Sequence, residues 1–150
     1  MVAVQRVGMS HRLAWILAIG LLVFSVAACS GDDDSSTGST GVELSSGTLP
    51  ASLPEGFPIP DTAVISSTLV DWDNGRSEII MRIPAETAAV VLFYEQNLER
   101  AGYTLVSSES PENDPLQTVI VFTGNDIEGE LDINPEGVGL ARVVLTYTHP

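Results

Sequence analysis

The sequence predicts an α+β domain: a mostly antiparallel sheet in the order ββαββββ, with one amphipathic helix packed on one face. Three observations predict it. Six runs of strand-like residues are separated by short turn signals. A single stretch, residues 85–101, carries a helical apolar period. No repeat of solenoid length interrupts them. The chain has 150 residues, with 20 acidic against 6 basic side chains for a net charge of -14, and all six cations are arginines. Nucleic-acid binding needs a basic surface, so this balance excludes it. One cysteine allows neither an intrachain disulfide nor a cysteine-based zinc cluster.

Taken in order, the chain opens with Arg6, His11 and Arg12, then the uncharged run LAWILAIGLLVFSVAA from Leu13 to Ala28, then Cys29, Ser30, Gly31 and three aspartates. A positive segment followed by a short apolar one is the pattern of an export signal. The run falls short of the about 20 residues of a spanning helix. Small residues stand directly before the only cysteine, in the order Val26-Ala27-Ala28-Cys29. This junction resembles the lipobox of bacterial lipoproteins. The resemblance implies a signal peptide over residues 1–28, cleavage between Ala28 and Cys29, and a diacylglyceryl group, with palmitate-type acyl chains, on the Cys29 sulfur. It further implies a location at the cell membrane, lipid-anchored on its extracytoplasmic face. Two acyl chains hold where one binds only marginally. Removal of residues 1–28 leaves four arginines against twenty acids, or -16. Anionic headgroups repel such a domain, which is expected to stand off the membrane.

Residues 29–48 are expected to comprise the lipidated cysteine and a flexible tether, because Ser, Gly, Thr and Asp dominate and offer little to bury. Random-chain scaling gives the nineteen residues from Ser30 a reach of roughly 25 Å. A single domain is then expected over 49–150. Its first segment, 49–62, is punctuated by Pro50, Pro54, Pro58 and Pro60, which block a helix and favour extended or turn backbone. It reads as a strap that Phe57 and Ile59 pin to the core.

A hairpin is predicted over 63–83, where Asn74-Gly75 separates two strand-like runs and both central positions tolerate positive φ. In its second arm Ile79, Met81 and Ile83 alternate with Glu78, Ile80 and Arg82. The helix follows, with Pro84 ahead of it, Glu86 in its first turn, Arg100 in its last and Gly102 as a left-handed terminator. Val90, Val91, Tyr94, Leu98 and Ala101 form its apolar stripe, broadened by Phe93. Strands are then expected at 103–109, 116–124, 127–134 and 138–148, with turns at Asn125-Asp126 and Pro135-Glu136-Gly137.

The phrase Phe93-Tyr94, Leu98, Gly102-Tyr103, together with Phe57-Pro58-Ile59-Pro60 and the hairpin, resembles small exported bacterial domains, often lipoproteins, built around FYxxxLxxxGW or FYxxxLxxxGY. The resemblance covers the last two thirds of the chain and implies a fold and an envelope location without assigned chemistry. Tyr94, Leu98 and Tyr103 come over as packing positions.

Chemistry-bearing residues are few. Alternation places Asp126, Glu128, Glu130 and Asp132 on one side of a strand, and carboxylates so spaced offer oxygen ligands to calcium. Gly129 and an open strand supply no loop to complete the 6–8 ligands the ion takes, so a solvated strand face is the expectation. Asp71-Trp72-Asp73-Asn74-Gly75 has the look of the start of a calcium loop, but its spacing is that of a hairpin turn. Beyond the signal segment the only histidine is His149, at a terminus expected to fray. No nucleophile elbow, HExxH, P-loop or dinucleotide fingerprint occurs. No enzyme activity, metal or cofactor is therefore expected. Trp72 is the candidate interaction residue, with Asp71 and Asp73 beside it, against the alternative that it packs on the sheet edge. The expected function is that of a lipid-anchored cell-envelope lipoprotein acting as a non-catalytic protein-binding or accessory domain, with an envelope protein as partner. One alternative is a small-molecule or lipid-binding lipoprotein with an apolar pocket between helix and sheet. Another is a hydrolase using strand carboxylates.

Overall fold

The computed structural model describes residues 41–150. The expected signal segment 1–28, Cys29 and the expected tether as far as residue 40 lie outside the described residues. The fold is α+β. Seven strands, β1 (Val42–Ser45), β2 (Val64–Asp71), β3 (Arg76–Ile83), β4 (Thr104–Glu109), β5 (Thr118–Gly124), β6 (Ile127–Gly137) and β7 (Leu140–Thr148), surround one helix, α1 (Thr87–Arg100). They form a single sheet in the order β1-β2-β3-β7-β6-β5-β4 with every neighbouring pair antiparallel. The first three strands make one meander and the last four another. They meet where β7 pairs with β3 along its whole length, from Arg76 opposite Thr148 to Ile83 opposite Ala141.

Helix α1 carries the chain from β3 to the far edge at β4 and packs on β4, β5, β6 and β7. It begins two residues later than expected, at Thr87. Glu86 is the N-cap, in extended conformation, and its carbonyl accepts from the Ala89 and Val90 amides, so the first turn holds no acid. At the other end Tyr103 N–H bonds to the Leu98 carbonyl and Gly102 N–H to that of Glu99, with Gly102 at φ +88°. That pair of bonds is a Schellman motif, which satisfies carbonyls the last turn leaves free. Val90, Tyr94 and Leu98 are the buried stripe, while Val91, Phe93 and Ala101 pack at its border.

Beneath the helix, Ile79, Met81, Val143, Leu145, Leu131 and Ile133 are fully buried. Tyr94 reaches across to them, its hydroxyl 3.7 Å from the Met81 sulfur. Burial pushes the Tyr94 phenol well above its ordinary pKa of 10.0. The strap closes the other part of this face. Phe57 packs against Tyr103 and Phe122 at centroid distances of 5.4 and 5.5 Å, and Ile59 lies at the core border. Amides of Leu53, Phe57 and Ala63 each return to the carbonyl of the proline three residues earlier, so three of the prolines initiate turns. Ser52 Oγ is 2.9 Å from both Ser77 Oγ and the Tyr147 hydroxyl, which fastens the strap to β3 and β7.

Four sequence expectations change. Residues 42–45, assigned to the tether, form the edge strand β1, so the order is βββαββββ and the sheet begins ahead of residue 49. The reason is backbone pairing with β2, supplemented by hydrogen bonds from Ser45 to Thr68 and from the Trp72 indole to Glu43, since all four residues are exposed. The hairpin loop spans Trp72–Gly75, and only Gly75 has positive φ, at +57°. The Asp71 carboxylate accepts from both the amide and the side chain of Asn74 and so shapes a four-residue loop. By contrast Asn125 and Asp126, at φ +51° and +63°, form the two-residue turn of positive φ. β6 continues through Pro135 to Gly137 across a bulge, and the turn moves to Val138-Gly139. Finally, His149 does not fray: its amide bonds to the Gly75 carbonyl at 2.8 Å and its ring meets Trp72 edge-on.

Candidate functional site

Because α1 and the strap cover one face of the sheet, the side chains that alternate with the core point to the other. Register fixes which they are. Opposite residues in an antiparallel pair share a face, so Leu69, Glu78, Thr146, Glu130 and Val121 form one cross-strand row, and Ile80, Val144, Asp132 and Val119 form the next. A third row, nearer the hairpin, holds Asp71, Arg76, Thr148, Glu128 and Thr123. Aliphatic and charged groups are thus interleaved on a surface that nothing else in the described chain covers. A solvated antiparallel face ordinarily reads as polar. Here Ile80, Val119, Val121 and Val144 remain half-exposed at its centre, and at the β1 edge Leu44, opposite Leu69, and Val42, opposite Asp71, extend the first and third rows, 73% and 61% exposed.

The acidic strand is placed with this face. Glu128, Glu130 and Asp132 occupy successive open-face positions of β6, whereas Asp126, expected beside them, sits in the turn before the strand. Asp132 Oδ1 accepts from Gln117 Nε2 at 2.7 Å and from Asn134 Nδ2 at 2.6 Å. Glu128 and Glu130, with Arg76, Val121, Thr146 and Thr148, line a shallow depression of about 300 Å³. Among the described residues, no group of three or more His, Cys, Asp or Glu side chains is disposed to hold a metal ion.

At the opposite end of the face, Arg82 and Glu136 make the one ion pair found among the described residues, a two-pronged contact at 2.7 and 2.9 Å. The Arg82 hydrogen bond holds the Glu136 carboxyl below its usual pKa, with Arg142 adding to the effect by its charge. Glu136 is the extra residue of the β6 bulge, which is what turns its side chain toward Arg82 across β7.

Trp72, Asp71 and Asp73 gather at the hairpin end of the sheet. Trp72 is half-buried: its ring lies 5.1 Å from that of His149 and its indole N–H points to Glu43 at 3.4 Å. Asp73 Oδ1 accepts from the Gly41 amide at 3.2 Å, and the Trp72 amide bonds to the Gly41 carbonyl. Asp71 is held below the ordinary carboxylate pKa chiefly by the Asn74 side chain. This corner therefore ties three separate stretches, the start of β1, the hairpin loop and the C-terminus, with Trp72 partly exposed at their junction. Cys29 lies outside the described residues.

No protein-family model, no curated protein and no solved structure matches this chain. Function must therefore be argued from the surface itself. The sequence reading missed the open-face aliphatics as functional candidates, although their signal was present. IIMRI, TVIVF and ARVVL are apolar at nearly every position, and that pattern belongs to strands with apolar groups on both faces. The space between helix and sheet is filled by Tyr94, Leu98, Val90, Met81 and Leu145, each 2% exposed or less. An apolar hollow does open at the border of α1, beside Pro60, Ile83, Ala85, Val90 and Phe93, but at about 200 Å³ it is smaller than a typical small-molecule pocket.

Proposed function

We propose that this chain is a lipid-anchored cell-envelope protein whose domain is non-catalytic and binds another protein through the open face of its sheet. The anchor is a diacylglyceryl group on Cys29, supported by the ordered succession of Arg6, Arg12, the apolar run and Val26-Ala27-Ala28-Cys29. The observation that carries the binding role is the uncovered mixture of Ile80, Val119, Val121 and Val144 with charged neighbours at the centre of a seven-stranded sheet. Exposed aliphatic groups rimmed by polar ones are characteristic of interaction surfaces. Trp72, at the margin of this face with Asp71 and Asp73, supplies an aromatic contact of the kind interfaces favour.

Pairing of β1 with β2 takes chain from the tether. Twelve residues, 30–41, separate Cys29 from β1, and a chain of that length spans at most about 43 Å. Such a reach keeps the domain near the bilayer and restricts its partners to other envelope proteins.

The test is affinity purification of the full-length protein from its own membranes after mild cross-linking, with Cys29→Ala as the unanchored control. A discrete protein partner that is recovered with the wild type and lost with the variant is expected. Recovery of lipid or small molecules alone would overturn the reading in favour of a ligand carrier.

A further inference from the structure

We propose that Arg142 is the anchoring contact of the open face and takes a single side-chain carboxylate, Asp or Glu, of the partner protein. This inference rests on the protein-binding reading and specifies the chemistry of its partner. Arg76, Arg82 and Arg142 stand on the open face, as the register of β3 and β7 fixes, while Arg100 closes the helix. Of these four arginines Arg142 alone is half-buried, and the other three are exposed. Arg142 also stands directly opposite Arg82. Like charges in that position repel, and a cation withdrawn from water costs stability unless an acceptor of opposite charge meets it.

The acids around Arg142 are committed elsewhere. Glu136 gives one oxygen to Arg82 Nε and the other to Arg82 Nη2, at 2.7 and 2.9 Å. Asp132, on the diagonal from Arg142 across β6 and β7, accepts from Gln117 and Asn134. Among the described residues Arg142 therefore makes no ion pair. Its planar fork of donors matches the two oxygens of a carboxylate, and that pairing is the strong, directional form of the contact. Two guanidinium groups share one carboxylate here, so this end of the face is locally positive on a domain that is otherwise acidic. Of the 20 acids and 6 arginines, three aspartates and two arginines precede residue 41, leaving 17 against 4 in the described domain. A net charge of -13 turns polyanions away, which favours one carboxylate carried on an otherwise uncharged segment. Val144, two residues along β7, and Ile80, on the diagonal in β3, offer such a segment apolar contacts that keep water from the pair.

The experiment titrates the full-length protein in zwitterionic detergent with labelled peptides of threonine and valine that differ only at a central residue, which is Glu, Gln, Lys or phosphoserine. Long-range attraction to a domain of charge -13 ranks Lys over Gln and Gln over Glu, so a preference for Glu isolates a local cation. The Glu peptide is expected to bind about fivefold more tightly than the Gln peptide. That preference is expected to vanish in Arg142→Gln and to persist in part in Arg142→Lys, which keeps the charge and loses the fork. It is expected to persist in full in Arg100→Gln, which removes the same charge from the end of the helix. A ranking that follows overall charge, or a Glu preference that survives Arg142→Gln, would overturn the proposal. Tightest binding of the phosphoserine peptide would overturn the choice of a carboxylate. In the membrane cross-linking experiment, a partner held equally by wild type and Arg142→Gln would overturn this assignment while leaving the protein-binding reading intact. No partner with either would remove the reading itself.

Discussion

Gly129 and Phe122 face each other across β5 and β6, and the fit between them admits no side chain at position 129. A Cβ there falls inside contact distance of the Phe122 ring, the ring that stacks edge-on with Tyr103 at 5.4 Å and meets Phe57 at 5.5 Å. The glycine thus makes room for the aromatic cluster that fastens the strap. Gly129→Ala is predicted to destabilise the domain by about 1–3 kcal/mol through displaced packing, measured by reversible chemical denaturation. The account of the cluster fails if the variant is as stable as the wild type. A second residue-scale prediction concerns the Arg82–Glu136 pair. A carboxyl whose folded pKa is lowered contributes stability above its unfolded pKa and loses that contribution as pH falls through the folded value. Carboxyl-resolved NMR titration is expected to place Glu136 below 4.5, and Arg82→Ala to move it back toward that value. An unchanged midpoint in Arg82→Ala would show that another group sets it.

Helix α1 and the four C-terminal strands were legible because each carries a complete local signal. The helix has its apolar stripe and its glycine, and the phrase Tyr94, Leu98, Gly102, Tyr103 resolves into three buried side chains and a Schellman cap. Leu98→Ala is predicted to cost about 2–5 kcal/mol by opening a cavity under the helix, and Gly102→Ala about 1 kcal/mol by straining a residue at positive φ. Thermal unfolding of the two variants checks this order, which reverses if the cap outweighs the core contact. β1 was not legible. Val42-Glu43-Leu44-Ser45 buries none of its side chains, so no pattern of burial marks it, and what holds it extended, the open edge of β2 and the bonds to Thr68 and Trp72, lies far away in sequence. Its amides are accordingly predicted to exchange with solvent deuterium well before those of β7, which is paired on both sides. Protection of β1 equal to that of β7 would mean that its one ladder and its side-chain bonds hold it as firmly as two ladders hold β7. The long pairing of β3 with β7 was equally invisible, because hydrophobic alternation says which face of a strand is buried and nothing about which strand lies beside it.

For the whole molecule, α1 and the strap cover one face of the sheet, and the other is left open. The candidate site was partly legible for that reason. Trp72 and its neighbouring aspartates were named from sequence, and the structure places them at the rim, engaged with β1 and His149. The aliphatic centre of the open face was overlooked because apolar residues in a strand default to the core, and only register shows that Ile80, Val119, Val121 and Val144 stand opposite it. A charge of -13 on this domain would set it apart from anionic headgroups, and the proposed covalent anchor at Cys29 would supply membrane attachment without any basic surface. The central claim is thus the anchor that places an uncovered sheet face before envelope partners. Mass spectrometry of the intact mature protein from native membranes tests it most directly. The account predicts a chain beginning at Cys29 with a diacylglyceryl group on its sulfur, and an unmodified chain for Cys29→Ala. A wild-type chain that retains residues 1–28 with a free Cys29 thiol would contradict it.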